Sequence, residues 1–113
     1  MSTPREVKFW VMQRATAVIL ALCVIVHLAT IIYAVRGGLT AGEILGRTRG
    51  SLAWGGFYAV FVLAAAVHGA IGLRNIAAEW LGWRGDTAEV AVTAIGVALT
   101  ILGLRAVAAV VGA

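Results

Sequence analysis

Charge is scarce in this sequence of 113 residues. Only 12% of the residues are Asp, Glu, Lys or Arg, whereas 62% are hydrophobic and the mean hydropathy is +0.99. A soluble domain normally carries about 25% charged residues, because its surface must face water. The composition therefore excludes a soluble enzyme, a nucleic-acid-binding protein and a disordered tail, and it indicates a small membrane protein.

Cysteine and proline are equally scarce. The single cysteine, Cys23, excludes an internal disulfide and a cysteine-based metal site. The single proline, Pro4, precedes every apolar run, so nothing forces a kink in those runs. The net charge of +4 reflects nine Lys and Arg residues, which lie near the ends of the apolar runs, as is typical of a membrane protein.

Three apolar runs each reach the length of about 20 residues that crosses a hydrocarbon core. They cover residues 15–35, 52–73 and 88–113, and they predict transmembrane helices at about 11–36, 52–80 and 88–112. Helix is expected because backbone amides in lipid must be paired within their own segment, and a chain this short cannot close a barrel. We therefore predict an all-α fold, with residues 1–113 forming a single membrane domain.

The connections between the runs differ in length. Residues 37–50 are rich in Gly, Thr and Arg and predict a loop with a short interfacial helix at 41–46, whereas residues 82–87 predict a tight turn. The first run, about 21 residues, exceeds the apolar core of a secretory signal, so we expect it to be retained. Five Lys and Arg residues fall on the N-terminal side and four on the other, which favours a cytoplasmic N-terminus.

Apart from Glu89 near the start of the third run, three charged or histidine side chains lie within the apolar runs, where such groups are costly and are functional candidates by default. They are His27, His68 and Arg105. No Asp or Glu lies deep in a run, which counts against a proton-coupled transporter. Arg105 is near the end of its run, and we expect its side chain to reach the lipid headgroups. The threonines in the spans are expected to bond back to their own helix: Thr16, Thr93 and Thr100.

Both histidines are candidate axial ligands of haem iron, because neutral imidazole binds iron well and helix bundles often contain such sites. Ala64 and Ala65 lie one turn before His68 and Gly72 lies one turn after it, so a flat macrocycle could rest on this face. The surface around His27 is tighter. The alternative is that each histidine hydrogen-bonds a neighbouring helix and has a structural role.

Helix geometry predicts that the two histidines lie at different depths. His27 follows Arg14 by 13 residues, about 20 Å of helix, and His68 precedes Arg74 by six residues, about 9 Å. Antiparallel helices place both arginines on one side, so the depths differ by about 10 Å. Each histidine is then expected to pair with a residue of another chain. Both arginines suit either haem propionates or lipid headgroups.

Two motifs resemble a known family. The sequence R-A-T-A at residues 14–17 opens the first run, and H-x-x-x-G at residues 68–72 is followed by an acidic–aromatic pair, Glu79 and Trp80. In this order and spacing they resemble the hydrophobic, D-type membrane-anchor (cytochrome b) subunit of succinate dehydrogenase and fumarate reductase. The resemblance covers nearly the whole chain.

The resemblance implies that His68 is an axial ligand of haem b, shared with a histidine of a second anchor, and that Arg14 lies near the haem propionates and the quinone pocket. The family usually has Asp-Tyr where this chain has Glu79 and Trp80, and its tyrosine bonds a quinone carbonyl. An indole N–H can also donate a hydrogen bond. His27 has no counterpart in the single-haem anchors, but it fits the two-haem members.

The resemblance further implies a non-catalytic subunit that passes electrons between a catalytic head and membrane quinone. The expected partners are a flavoprotein, an iron–sulfur protein and a second anchor that completes a larger helical bundle, with one or two haem b groups. The expected location is a bacterial or organellar inner membrane. The alternatives are a small transporter component, an assembly protein with structural histidines, or a haem-binding anchor of an unrelated dehydrogenase.

Overall fold

Four α-helices form most of the chain in the computed structural model, which describes residues 3–112. They are α1 (Pro4–Gly37), α2 (Ala41–Thr48), α3 (Leu52–Trp80) and α4 (Asp86–Val111). Of these helices, α1, α3 and α4 are long and apolar enough to cross a membrane. The predicted all-α fold with three transmembrane helices is confirmed, and the loop before α3 contains the short helix α2.

The helix α1 begins well before the first apolar run, because its N-terminus carries a capping box. The Thr3 hydroxyl accepts a hydrogen bond from the Glu6 amide at 3.1 Å, and the Glu6 carboxylate accepts one from the Thr3 amide at 3.1 Å. Pro4 occupies the first helical position, where its missing N–H costs nothing. At about 1.5 Å per residue, the first turns of α1 extend beyond a hydrocarbon core about 30 Å thick.

The central helix is α3, which packs against both α1 and α4. Small residues allow α4 to approach α3 closely, as is common between membrane helices. Gly96 of α4 lies against Ala70, and Gly103 lies against Val62. A side chain at either glycine would have to displace the residue opposite it. The α3–α4 contact therefore depends on small residues at a seven-residue spacing.

Hydrogen bonds between elements fix which helix ends lie together. On one side, the Thr48 hydroxyl of α2 donates to the Val110 carbonyl of α4, and the Gly50 amide donates to the Val111 carbonyl at 2.8 Å. The start of α1, the end of α3 and the start of α4 lie together on the opposite side, which we call the N-terminal side. The up–down–up course of α1, α3 and α4 therefore brings residues far apart in sequence to one membrane face.

Little of the described chain is buried, and the buried side chains are small or of medium size. They are Cys23, Ala64, Ala66, Ile71, Ala77, Ala88 and Val92. Many large apolar side chains of α1 and α4 stay exposed, as expected for surfaces that contact lipid or further helices rather than water.

Candidate functional site

A groove between α1 and α3 opens on the N-terminal side and has a volume of about 510 Å³. Four of the predicted site residues line this groove, which we call the His68 groove: Arg14, His68, Arg74 and Glu79. Arg14 lies on α1, and the other three lie on α3, more than 50 residues later in the sequence. The antiparallel course of α1 and α3 brings them together. The remaining lining residues are Glu6, Phe9, Trp10, Gln13, Ala17, Ile71, Asn75, Ala78 and Arg84.

His68 is held by a contact with α1. Its Nδ1 atom lies 3.2 Å from the hydroxyl oxygen of Thr16, and that hydroxyl lies 2.8 Å from the Met12 carbonyl and 3.1 Å from the Gln13 carbonyl. The back-bonding predicted for Thr16 is therefore present, but its contact with His68 was not predicted. Within residues 3–112, the other ring nitrogen of His68, Nε2, has no hydrogen-bond partner.

The small residues near His68 are used partly to bring the helices together. A Cβ at Gly72 would lie 3.5 Å from Nε2 of Gln13, so α1 already covers this glycine. Ala64 is buried. Neither residue lines the groove, so the open surface next to His68 runs over Ile71 and Ala78 instead of the face predicted from the sequence.

Arg74 is fixed by two neighbours. Its Nε atom donates to Oε1 of Glu89 at 2.9 Å, and its guanidinium carbon lies 4.6 Å from the centre of the Phe9 ring. Arg5 approaches the same two groups, with an ion pair of 2.9 Å to Glu89 and a distance of 5.3 Å to the Phe9 ring. Glu89 therefore joins α1, α3 and α4 at the rim of the groove. No motif or spacing in the sequence predicts this role for Glu89.

Arg14 is less constrained than Arg74. Its guanidinium carbon lies 5.2 Å from the centre of the Trp10 ring, and it makes no ion pair within the described part of the chain. Gln13 adds a different feature, because its side-chain carbonyl oxygen is buried and has no hydrogen-bond partner among residues 3–112. The groove thus contains an available cation and an available acceptor.

The two residues of the acidic–aromatic pair at the end of α3 lie in different surroundings. Glu79 lines the His68 groove, whereas Trp80 lies outside it and is 82% exposed. The turn that follows is stabilised by Gly82, which has a φ of +63°, and the Trp83 amide donates to the Ala77 carbonyl at 2.9 Å. Trp80 is therefore available to a neighbouring subunit or to a molecule in the lipid.

His27 lines a second groove, near the opposite side of the membrane, with a volume of about 840 Å³ and a mainly apolar lining. We call it the His27 groove. The His27 ring meets Tyr58 and Phe61 edge-on, with ring centres 5.8 and 5.6 Å apart, and its Nδ1 atom lies 3.4 Å from the Tyr58 hydroxyl. Arg47 also lines this groove, and its guanidinium carbon lies 5.6 Å from the centre of the Tyr33 ring.

The helix register separates the two histidines further than predicted. His68 is level with Thr16, and His27 is level with Tyr58. The 10 residues from Tyr58 to His68 correspond to about 15 Å of helix, and the 11 residues from Thr16 to His27 correspond to about 16 Å. The predicted 10 Å was too small because Arg74 is level with Phe9 rather than with Arg14. The two histidines therefore belong to separate sites.

Three apolar helices with two histidine-lined grooves at different depths define a multi-pass membrane subunit with two separate candidate sites. The family model for the succinate dehydrogenase/fumarate reductase transmembrane subunit matches residues 1–110, so the chain belongs to this family. It is a membrane-anchor subunit that associates with the catalytic subunits of the complex, and not a transporter component. Neither a search of curated proteins nor a search of solved structures gave a match.

Proposed function

We propose that the His68 groove holds haem b, with His68 as one axial ligand, and that the chain carries electrons between the catalytic head and a membrane quinone. The observation that carries this proposal is the state of the His68 ring. Its Nδ1 atom contacts Thr16, and its Nε2 atom has no partner among residues 3–112. A histidine that binds a metal through one nitrogen typically uses the other in a hydrogen bond.

The residues of the groove fit the chemistry of this cofactor. A single imidazole lines the groove, so a second axial ligand would come from another chain, in accord with a second anchor subunit. Arg14 and Arg74 supply the positive charge that haem propionates require. Glu89 holds Arg74 through Nε and leaves the terminal nitrogens of its guanidinium for a carboxylate.

Haem, when bound, supplies a one-electron carrier within the membrane. The residues of this chain do the remaining work. His68 would bind the haem iron through one ring nitrogen and so orient the cofactor. Arg14 and Arg74 compensate negative charge at the membrane face. Apolar residues of α1 and α3 exclude water. None of these residues touches the dicarboxylate substrate, which belongs to the partner subunits.

A quinone is the proposed electron partner at the same membrane face. Arg14 and the Trp80 indole can donate hydrogen bonds to a quinone carbonyl, and the Glu79 carboxylate can accept a proton or a hydrogen bond. The buried side-chain carbonyl oxygen of Gln13 can accept a hydrogen bond from a quinol hydroxyl. The oxidised quinone has no hydroxyl and cannot donate this bond. These residues offer donors for the oxidised form and acceptors for the reduced form.

The His27 groove is the proposed site of a second haem b. Its apolar lining, its volume of about 840 Å³ and its single histidine support this assignment, as does the offset of about 15 Å from the level of His68. Two carriers at these two levels would span much of the membrane. The competing role for His27 is structural, as a ring packed between Tyr58 and Phe61.

The proposed partners are a flavoprotein and an iron–sulfur protein on the N-terminal side, together with a second anchor beside α1 and α3. The basic residues of this face and the opening of the His68 groove toward it support this arrangement. The proposed location is a bacterial or organellar inner membrane, with the N-terminus on the cytoplasmic or corresponding side.

The test is the substitution His68→Ala in the purified complex, followed by a reduced-minus-oxidised absorption spectrum. We expect loss of one haem b signal while the catalytic subunits still co-purify. The substitution Asn75→Ala is a matched control, because Asn75 lines the same groove but has no role in binding iron. An unchanged haem content in His68→Ala would refute the ligand role.

A further inference from the structure

The hydroxyl of Thr16 has three polar neighbours, which determine the direction of each hydrogen bond. It lies 2.8 Å from the Met12 carbonyl, 3.1 Å from the Gln13 carbonyl and 3.2 Å from Nδ1 of His68. A hydroxyl has one proton to donate and can accept through its oxygen lone pairs, whereas a carbonyl can only accept. The proton of Thr16 must therefore point to the carbonyls of its own helix.

The alternative direction is unfavourable. If Thr16 donated its proton to Nδ1, its oxygen lone pairs would face two carbonyl oxygens at 2.8 and 3.1 Å with no proton between them. Such an arrangement is costly inside a membrane, where no water screens the oxygens. The bond between the two residues thus runs from Nδ1–H of His68 to the oxygen of Thr16.

From this geometry we infer that Thr16 is a positioning residue, which fixes His68 in the tautomer that carries its proton on Nδ1 and presents the Nε2 lone pair to the His68 groove. The inference rests on the proposed function, because it concerns the ligand role of His68. It goes further because it assigns a role to Thr16, whose hydroxyl was expected only to hydrogen-bond to a carbonyl of its own helix.

Two consequences follow for a bound metal. The Nδ1–H···O bond sets the orientation of the ring, so that Nε2 is available without prior loss of a proton. The bond also increases the basicity of the ligand, as partners of metal-bound histidines generally do. A more basic ligand stabilises the oxidised iron relative to the reduced iron, so loss of the bond should raise the midpoint potential.

The experiment compares three variants in the purified complex by redox titration of the haem. Thr16→Val keeps the shape of the side chain but removes the oxygen, and we expect an upward shift of the midpoint potential together with lower haem occupancy. Thr16→Ser keeps the hydroxyl, so we expect a midpoint potential close to that of the unmodified complex. Thr100→Val is the matched control, because Thr100 also bonds back to its helix, at 2.8 Å to the Gly96 carbonyl, but does not contact His68.

An unchanged potential in Thr16→Val would overturn the inference, and so would equal shifts in Thr16→Val and Thr100→Val. If Thr16→Val does not assemble, Thr16→Ala removes the same oxygen with less bulk, and the same comparison applies. These outcomes are separate from failure of the proposed function, which would appear as a full haem content in His68→Ala. If His68 binds the haem but the midpoint potential does not depend on Thr16, the proposed function stands and this inference is wrong.

Discussion

Arg74 and Glu89 form an ion pair with an Nε–Oε1 distance of 2.9 Å, and it joins the end of α3 to the first turns of α4. Both side chains are 27% exposed, and the second carboxylate oxygen of Glu89 binds Arg5, whose side chain is 62% exposed. Glu89 is thus the shared partner of two cations that also lie against one aromatic ring, Phe9.

Removal of Glu89 should destabilise the N-terminal side more than removal of Arg5. Glu89→Gln leaves two guanidinium groups close together without an anion, so we expect a loss on the order of 1 kcal/mol, the upper range for such pairs. Arg5→Gln removes only the more exposed pair and should cost less. Thermal unfolding of the purified complex measures both, and equal melting temperatures for the two variants would contradict the shared role of Glu89.

The close approach of α3 and α4 predicts an effect of substituting one of their glycines. Gly103→Ala places a methyl group against Val62, and we expect a loss of about 1–3 kcal/mol, as for other overpacked contacts. Gly56→Ala is the control within α3, because nothing lies within 4 Å of a Cβ at that position. It should be neutral or stabilise by roughly 0.5–1 kcal/mol. The melting temperature should therefore fall in Gly103→Ala and stay the same or rise in Gly56→Ala.

The role of His27 can be separated from that of His68 by its spectrum. If the His27 groove holds a second haem, His27→Ala removes a haem signal distinct from the one lost in His68→Ala. Tyr58→Phe is the milder variant, because it removes the hydroxyl 3.4 Å from Nδ1 of His27 but keeps the ring. We expect this variant to retain the haem. A complex of unmodified sequence that contains a single haem would show that His27 is structural.

The proposed quinone contact of Trp80 depends on its indole N–H. Trp80→Phe keeps an aromatic ring at the membrane boundary but removes this donor, so we expect a higher KM for quinone with succinate oxidation by an artificial acceptor unchanged. Trp83→Phe is the control, since the indole N–H of Trp83 already donates to the Thr87 hydroxyl at 2.8 Å. If both variants have the same KM for quinone as the unmodified complex, Trp80 is an interfacial residue only.

Much of this architecture could be predicted because membrane helices obey a simple length rule. Apolar runs of about 20 residues predicted the three spans. The segment before α3, rich in Gly, Thr and Arg, was expected to contain a short helix, and α2 lies there. The grouping of Arg14, His68 and Arg74 on one side also followed from the antiparallel course of the helices. These features depend on local composition or on the order of the spans, both of which the sequence records directly.

The missed features depend on the register between helices. No spacing in the sequence predicts that Thr16 is level with His68, or that Arg74 lies over Phe9 instead of beside Arg14. An offset of one turn changes which side chains meet. The role of Glu89 was missed for the same reason, since its partners lie on two other helices.

The central claim, that this chain is a haem-binding anchor, is tested most directly by a reduced-minus-oxidised absorption spectrum of the complex extracted from membranes with its catalytic subunits. We predict the bands of a six-coordinate haem b in an amount of at least one haem per anchor chain. A complex that co-purifies intact with its flavoprotein and shows no haem absorbance would contradict the account.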